Sequence, residues 1–233
     1  MFFPRRCPVC DEVLPVMAAR ETSYLICPEC SRKIERVREP VCKKCGKPIE
    51  NECGELCADC GRKKHEFEQG KSVFVYSGRI RESVYRFKYG NRREYADFYA
   101  TEALGCYEKW ILNKKIQVII PIPLHCLRRK KRGYNQAELF ARVLGTKLGI
   151  PVRTDLLLRE KNTVPQKELD ETQRKNNLKN AFKITGNIVH LSYILLVDDI
   201  YTTGSTIDAA ALALKKAGGV HIYFICISSG RGF

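Results

Sequence analysis

Asp198 and Asp199 stand between an apolar run, Ile194 to Val197, and a stretch of small and hydroxylated residues, Thr202, Thr203, Gly204, Ser205 and Thr206. Four apolar residues in succession read as a buried parallel strand too short to be a helix. The alanine-rich segment from Ile207 to Ala217 reads as an amphipathic helix. The order is therefore a strand, an acidic edge, and a turn that opens a helix. Backbone N–H groups at a helix N-terminus, with the helix dipole and nearby hydroxyls, make a phosphate site, and adjacent carboxylates hold sugar hydroxyls or a divalent cation. A ribose 5-phosphate satisfies both halves. An ordinary strand-loop-helix with one Ser or Thr cap uses only one of these hydroxyls. It leaves two charges unexplained at a sheet edge, where charge is costly without a partner.

A second chemistry lies in the cysteines. Cys7, Cys10, Cys27, Cys30, Cys42, Cys45, Cys53, Cys57 and Cys60 crowd the start of the chain, and only Cys106, Cys126 and Cys226 follow. Two residues between cysteines let a tight knuckle aim both sulfurs at one ion, and four thiolates complete the tetrahedral shell of structural zinc. Cys7, Cys10, Cys27 and Cys30 form one set; Cys42, Cys45, Cys57 and Cys60 form the other, for up to two ions. Redox-active or buried thiols are the plainer alternative, but they do not require four repeated pairs. Spacing alone does not decide between sequential pairing and a cross-braced arrangement, and sequential pairing is favoured because each set then closes its own compact interval. Cys53 is a spare thiol. All-cysteine sites leave no open position for catalysis, so the module is expected to be structural or a docking surface. It spans residues 1–66, with the basic stretch Arg62 to His65 as a linker, and the remaining 67–233 form a second domain.

That second domain must carry the acids and the hydroxylated turn. Ser72 to Tyr76 reads as a strand. Apolar residues at helical intervals from Arg79 to about Leu112, interrupted near Gly90, read as two helices. Ile116 to Ile122 is a second buried strand, a helix follows Gly133, Pro151 to Arg153 and Leu156 to Leu158 are short extended segments, and Val220 to Ile227 is a last strand. Such alternation predicts an α/β domain with a mainly parallel sheet flanked by helices. Between the Ile116 strand and the Gly133 helix lies a basic loop, Arg128, Arg129, Lys130, Lys131 and Arg132. Ligands of such sheets sit outside the carboxyl ends of strands, so this loop and the Asp198 loop are expected to face one crevice. His125, in the same loop, could serve acid–base chemistry, although a lone histidine is more often a hydrogen-bonding residue. The polar interval Arg159 to Phe182 reads as a lid or a solvated loop.

Of 233 residues, 41 are Lys or Arg and 26 are Asp or Glu, a formal net charge of +15. This suits polyanions, nucleic acid or a pyrophosphate-bearing substrate among them, although a basic surface needs no specific partner. Arg86 to Arg93 interleaves cations with aromatic residues, a pattern suited to phosphates or single-stranded bases. No apolar run approaches the roughly 20 residues of a membrane span, and paired cysteines of this kind in a reducing compartment favour metal over disulfides, so a cytoplasmic protein is expected.

The stretch from Ile194 to Thr206 closely resembles the PRPP-binding motif of type I phosphoribosyltransferases: apolar strand, two acids, then a T-T-G-x-T loop. The resemblance implies that Asp198 and Asp199 bind the ribose hydroxyls, with Mg²⁺ accompanying PRPP, and that Thr202 to Thr206 wrap the 5-phosphate. Nearly the whole chain resembles the ComF family, which joins a double zinc-ribbon module to a phosphoribosyltransferase-like domain. That likeness is carried by the cysteine pairs, Lys88-Tyr89-Gly90, Pro121-Ile122-Pro123, Arg132-Gly133-Tyr134-Asn135-Gln136, Thr163 with Gln166, Arg174 with Asn177 and Phe182, and the Asp198 motif. It implies a role in natural competence, handling incoming single-stranded DNA beside a competence helicase, and a pyrophosphate side drawn from Lys88, Pro123, Leu124, His125 and Arg132. It also implies the alternative of phosphoribosyl transfer from PRPP to an acceptor, as in an amidophosphoribosyltransferase. The glutamine-dependent form of that reaction is disfavoured, because Cys7 lies behind six residues and within a metal pair.

Overall fold

The computed structural model describes residues 4–14, 25–50, 54–160 and 181–232. Four parallel strands form the central sheet in the order β1, β6, β5, β2: β1 is Gln69–Val75, β2 Val118–Pro121, β5 Tyr193–Tyr201 and β6 His221–Ser229. A separate antiparallel pair, β3 (Leu157–Arg159) and β4 (Phe182–Ile184), flanks it. Pro151 and Arg153 bond to Ile119 and extend the sheet beyond β2.

Side chains of a strand alternate between faces, and here both faces are apolar. Leu195, Val197, Tyr223 and Ile225 belong to one core with α3 (Gly78–Tyr89), α4 (Tyr95–Asn113) and α6 (Gln136–Leu148). Ile194, Leu196, Ile222 and Phe224 belong to the other, with α7 (Ser205–Lys216). Burying one such side chain contributes roughly 1.5–3 kcal/mol, which explains why these strands are nearly unbroken apolar runs. The expected break between α3 and α4 falls at Gly90, where an added Cβ would sit 2.8 Å from the Arg86 carbonyl oxygen.

The cysteine module is two similar ribbons. In each, an antiparallel bridge closes a knuckle, Arg6 with Val13 and Val41 with Pro48. In each, a cysteine then caps a short helix: Cys27 before α1 (Pro28–Lys33) and Cys57 before α2 (Ala58–Arg62). The chain between the ribbons pairs antiparallel with β1, Val37 N donating to the Val73 carbonyl and Val75 N to that of Glu35, both at 2.9 Å.

Two expectations are corrected. The basic run is not a loop: Cys126–Arg132 forms helix α5. His125 caps it, its Nδ1 accepting from Leu127 N at 3.4 Å, four cations fill its last turn, and Gly133 ends it in left-handed backbone (φ 77°). Cations near a helix C-terminus complement its dipole, and Gly is the residue that most readily takes that conformation. Strand β5 does not stop at Val197 but continues through both acids to Tyr201, paired with Ser229 of β6. The stretch after Cys60 leads out of the module with Arg62 and Lys64 exposed, but it ends in a buried residue, His65. The lid reading of Arg159 to Phe182, the spare Cys53, Thr163, Gln166, Arg174 and Asn177 lie largely or wholly outside the described residues. No helix among the described residues is long and apolar enough to cross a membrane.

Candidate ligand pocket and metal centres

The carboxyl ends of β2 and β5 lie side by side, Pro121 opposite Val197, with Ile122 N donating to the Val197 carbonyl. Asp198 and Asp199 therefore lie just past the end of β2, on the part of β5 that runs on beside β6. Lys88, from the last turn of α3, pairs with Asp199 at 2.9 Å. Burial, with the Asp199 charge added to it, pushes the Asp198 carboxyl up to about 7, against the lowering effect of the Asp199 N–H and of Lys88. Two adjacent carboxylates, one of them paired with Lys88, can hold hydroxyls as well as a cation.

The hydroxylated turn follows directly. Thr202, Thr203 and Gly204 form the loop, Ser205 and Thr206 open α7, and the Thr203 and Ser205 hydroxyls are 2.9 Å apart. The helical ladder starts with Asp208 N donating to the Gly204 carbonyl, so the N–H groups of Ser205, Thr206 and Ile207 precede it and suit an anion. Gly204 has φ 79°, and a Cβ there would stand 2.6 Å from the Tyr201 hydroxyl and 3.1 Å from His65 Cε1. Backbone angle and lack of room both require glycine.

His65 and Asp208 are the members that sequence reasoning missed. Asp208 accepts from His65 Nδ1 at 2.9 Å and from Glu66 N at 3.0 Å, and pairs with Lys63. Burial opposes its ionisation, but the bonds from His65 and Lys63 prevail and lower its pKa. This clasp ties the chain leaving the second ribbon to the first turn of α7. The available signal was an acid four residues after Gly204, combined with a histidine just past Cys60.

The Arg132 to Gln136 stretch assembles the opposite wall. Arg132 donates to Gln136 Oε1 at 3.1 Å and to the Tyr89 hydroxyl at 2.9 Å. Tyr134 donates to the Phe87 carbonyl at 2.5 Å, and Gln136 to that of Lys88 at 3.4 Å. Asn135 donates to the Ile122 carbonyl at 2.9 Å and accepts from Ala137 N, capping α6. Arg132, Tyr134 and Gln136 thus fix the end of α3 that presents Lys88. His125 is buried as the α5 cap, and Arg132 reaches the Tyr89 side rather than the acids.

The sulfurs gather sequentially: Cys7, Cys10, Cys27 and Cys30 within 4.8 Å of one another, and likewise Cys42, Cys45, Cys57 and Cys60. A tetrahedral ion with Zn–S bonds of roughly 2.3 Å requires sulfur–sulfur edges of about 3.8 Å. Cys10 to Cys27 is 3.9 Å and Cys45 to Cys57 is 3.6 Å. Arg79 donates to Cys30 Sγ at 3.4 Å, a bond that favours a thiolate. Both clusters fit structural zinc.

The fold and these centres define a mainly parallel α/β protein fused to paired zinc ribbons. Residues 1–61 match the model of the double zinc ribbon domain. Competence protein F of Haemophilus influenzae is 40% identical over 104 residues, covering 44% of this chain and 45% of that protein. Competence protein ComFC of Bacillus subtilis is 31% identical over 150 residues, covering 64% and 59%. The DNA utilization protein YhgH of Escherichia coli K12 is 33% identical over 109 residues, covering 47% and 48%. These matches support a relationship to the ComF family, and the chain spans about half the length of these curated relatives. A purine phosphoribosyltransferase from Pyrococcus horikoshii Ot3 superposes with a TM-score of 0.35 at 19% identity, over 57% of this chain and 73% of that one. The description of the fold rests on the sheet above rather than on that superposition.

Proposed function

We propose that the pocket binds PRPP or a related ribose 5-phosphate. The observation that supports it most is the continuity of β5: one strand carries Asp198 and Asp199 and then turns through Gly204 into the α7 N-terminus. In this reading the two acids hold the ribose hydroxyls and the cation, Thr202 to Thr206 take the 5-phosphate, and Lys88, Pro123 and Leu124 line the pyrophosphate side; His125, the α5 cap, and Arg132, bonded to Tyr89, would have to turn inward to join them. Mg²⁺, held by the acids together with the ligand, would supply charge neutralisation of the diphosphate. Lys88 must give up part of its pairing with Asp199 for this to occur. Isothermal titration with PRPP and Mg²⁺ tests the reading: saturable binding is expected in the wild type and a loss of at least tenfold in Asp199→Asn, whereas no heat with either protein rejects it.

The names of the relatives support a competence-associated role; the reading proposed with it is that the protein handles incoming single-stranded DNA beside a competence helicase in the cytoplasm. Phosphoribosyl transfer from PRPP is the second reading, favoured by Lys88 beside the acid pair. It predicts pyrophosphate release in the presence of one acceptor from a panel of nucleobases, ammonia and DNA. Binding without release leaves the first reading alone.

A further inference from the structure

Helix α3 presents an outward stripe that the pocket does not use. Ile80, Val84 and Phe87 are buried, while Arg81, Tyr85 and Tyr89, spaced four apart, face out. Tyr85 is 64% exposed and Tyr89 54%, and among the described residues no other aromatic side chain is so exposed. Their ring centroids are 4.9 Å apart and the planes are tilted by 49°. Tyr89 is held from the side: the Arg132 guanidinium stands 4.8 Å over its ring and bonds its hydroxyl.

Cations surround this pair. Arg128, Lys131 and Arg132 line a hollow of about 250 Å³ at Tyr89, and Arg81 and Arg86 line one of about 360 Å³ at Tyr85. Lys130 and Lys131 are exposed and make no ion pair among the described residues. The carboxylates nearby are Glu82, 4.0 Å from Arg86, and Glu138, shared by Arg129 and Arg142. The surface therefore joins two exposed tyrosine rings, one helical turn apart, with an excess of positive charge.

We infer that Tyr85 and Tyr89, with the basic helix α5, form a stacking platform for single-stranded nucleic acid. Aromatic faces accept unstacked bases of any sequence while Lys and Arg follow the backbone, and the paired bases of a duplex cannot offer their faces. The inference rests on the single-strand reading above and names the surface. It adds that one helix serves two ligands: Lys88 faces the acid pair, and its neighbour Tyr89 faces the strand.

The test uses the full chain with fluorescent oligo(dT), oligo(rU), a duplex of equal length, and anionic vesicles. Oligo(dT) is expected to bind in a salt-sensitive manner. Because stacking is worth about 1–3 kcal/mol per base, Tyr85→Ala should weaken binding at least about fivefold, with Tyr85→Phe close to wild type. Lys130→Gln/Lys131→Gln should reduce the salt slope by about 1.4. Oligo(rU) bound equally assigns the platform to single strands in general. Binding of oligo(dT) unaltered in Tyr85→Ala, or tighter binding of duplex or vesicles, overturns the inference. Far-UV circular dichroism and PRPP titration of Tyr85→Ala separate the failures: intact PRPP binding with no oligonucleotide binding in the wild type sinks the platform alone, and the reverse sinks the pocket reading alone.

Discussion

Asp11 and Gly46 hold the same position in the two ribbons, immediately after the second cysteine of each knuckle, and both are left-handed, at φ 67° and 75°. The solutions differ. Gly46 lies flat on the sheet, where a Cβ would come within 2.6 Å of the Gly70 carbonyl oxygen. Asp11 has room, and its carboxylate accepts from Tyr95 at 2.6 Å and from Arg92 at 2.7 Å. The same metal scaffold is thus docked by close backbone approach in one copy and by a charged tether in the other. The ribbons also serve opposite faces of the sheet. The first packs with the α3 and α4 core, and its Pro8 and Val9 carbonyls accept from Ser83 and Arg86 of α3. The second packs with the α7 core and continues into the Asp208 clasp. Each ribbon therefore supports one wall of the pocket.

The strongest way to break this division is to remove one cluster at a time. Cys60→Ser should reduce zinc from two ions per chain to one and abolish PRPP binding, while Cys7→Ser should weaken oligonucleotide binding first; native mass spectrometry and the two titrations read both. Identical losses in the two variants would erase the distinction. Next in size is Asp208→Ala, which strands Lys63 and His65. Breaking a buried ion pair costs about 3–5 kcal/mol, seen in urea unfolding, together with a loss of PRPP affinity. Asp198→Asn probes the pocket without touching either ribbon. Since its folded pKa is about 7 against an ordinary 3.8, ionising it opposes folding, so wild-type stability should fall as pH rises from about 4 to 7. The variant should lack that slope and gain about 2 kcal/mol at pH 8, a discount from the full shift for partial solvation. The smallest effect expected is Asp11→Ala, about 1–2 kcal/mol from two lost bonds, with PRPP affinity unchanged.

Much of this was legible in the sequence because its signals are local. The Ile194 to Thr206 order, the cysteine spacing and the apolar strand runs each follow from neighbouring residues, and sequential sulfur grouping agrees with the compact intervals. What escaped depends on distant partners. Helix α5 is built from a charge run without apolar periodicity, so nothing but its His125 cap and Gly133 stop marked it. His65 and Asp208 lie 143 residues apart, and neither has meaning without the other. The attachment of the ribbons to opposite faces follows from the antiparallel pairing of Val37 with Val73, which no periodicity announces.

That pairing has a consequence for how molecules behave towards one another. Strand β1 is the outer strand of the sheet, and an outer strand with free N–H and C=O groups invites a second chain to add to it. Residues Glu35 to Val37 occupy that row. A shortened chain without the ribbons would expose it and should self-associate.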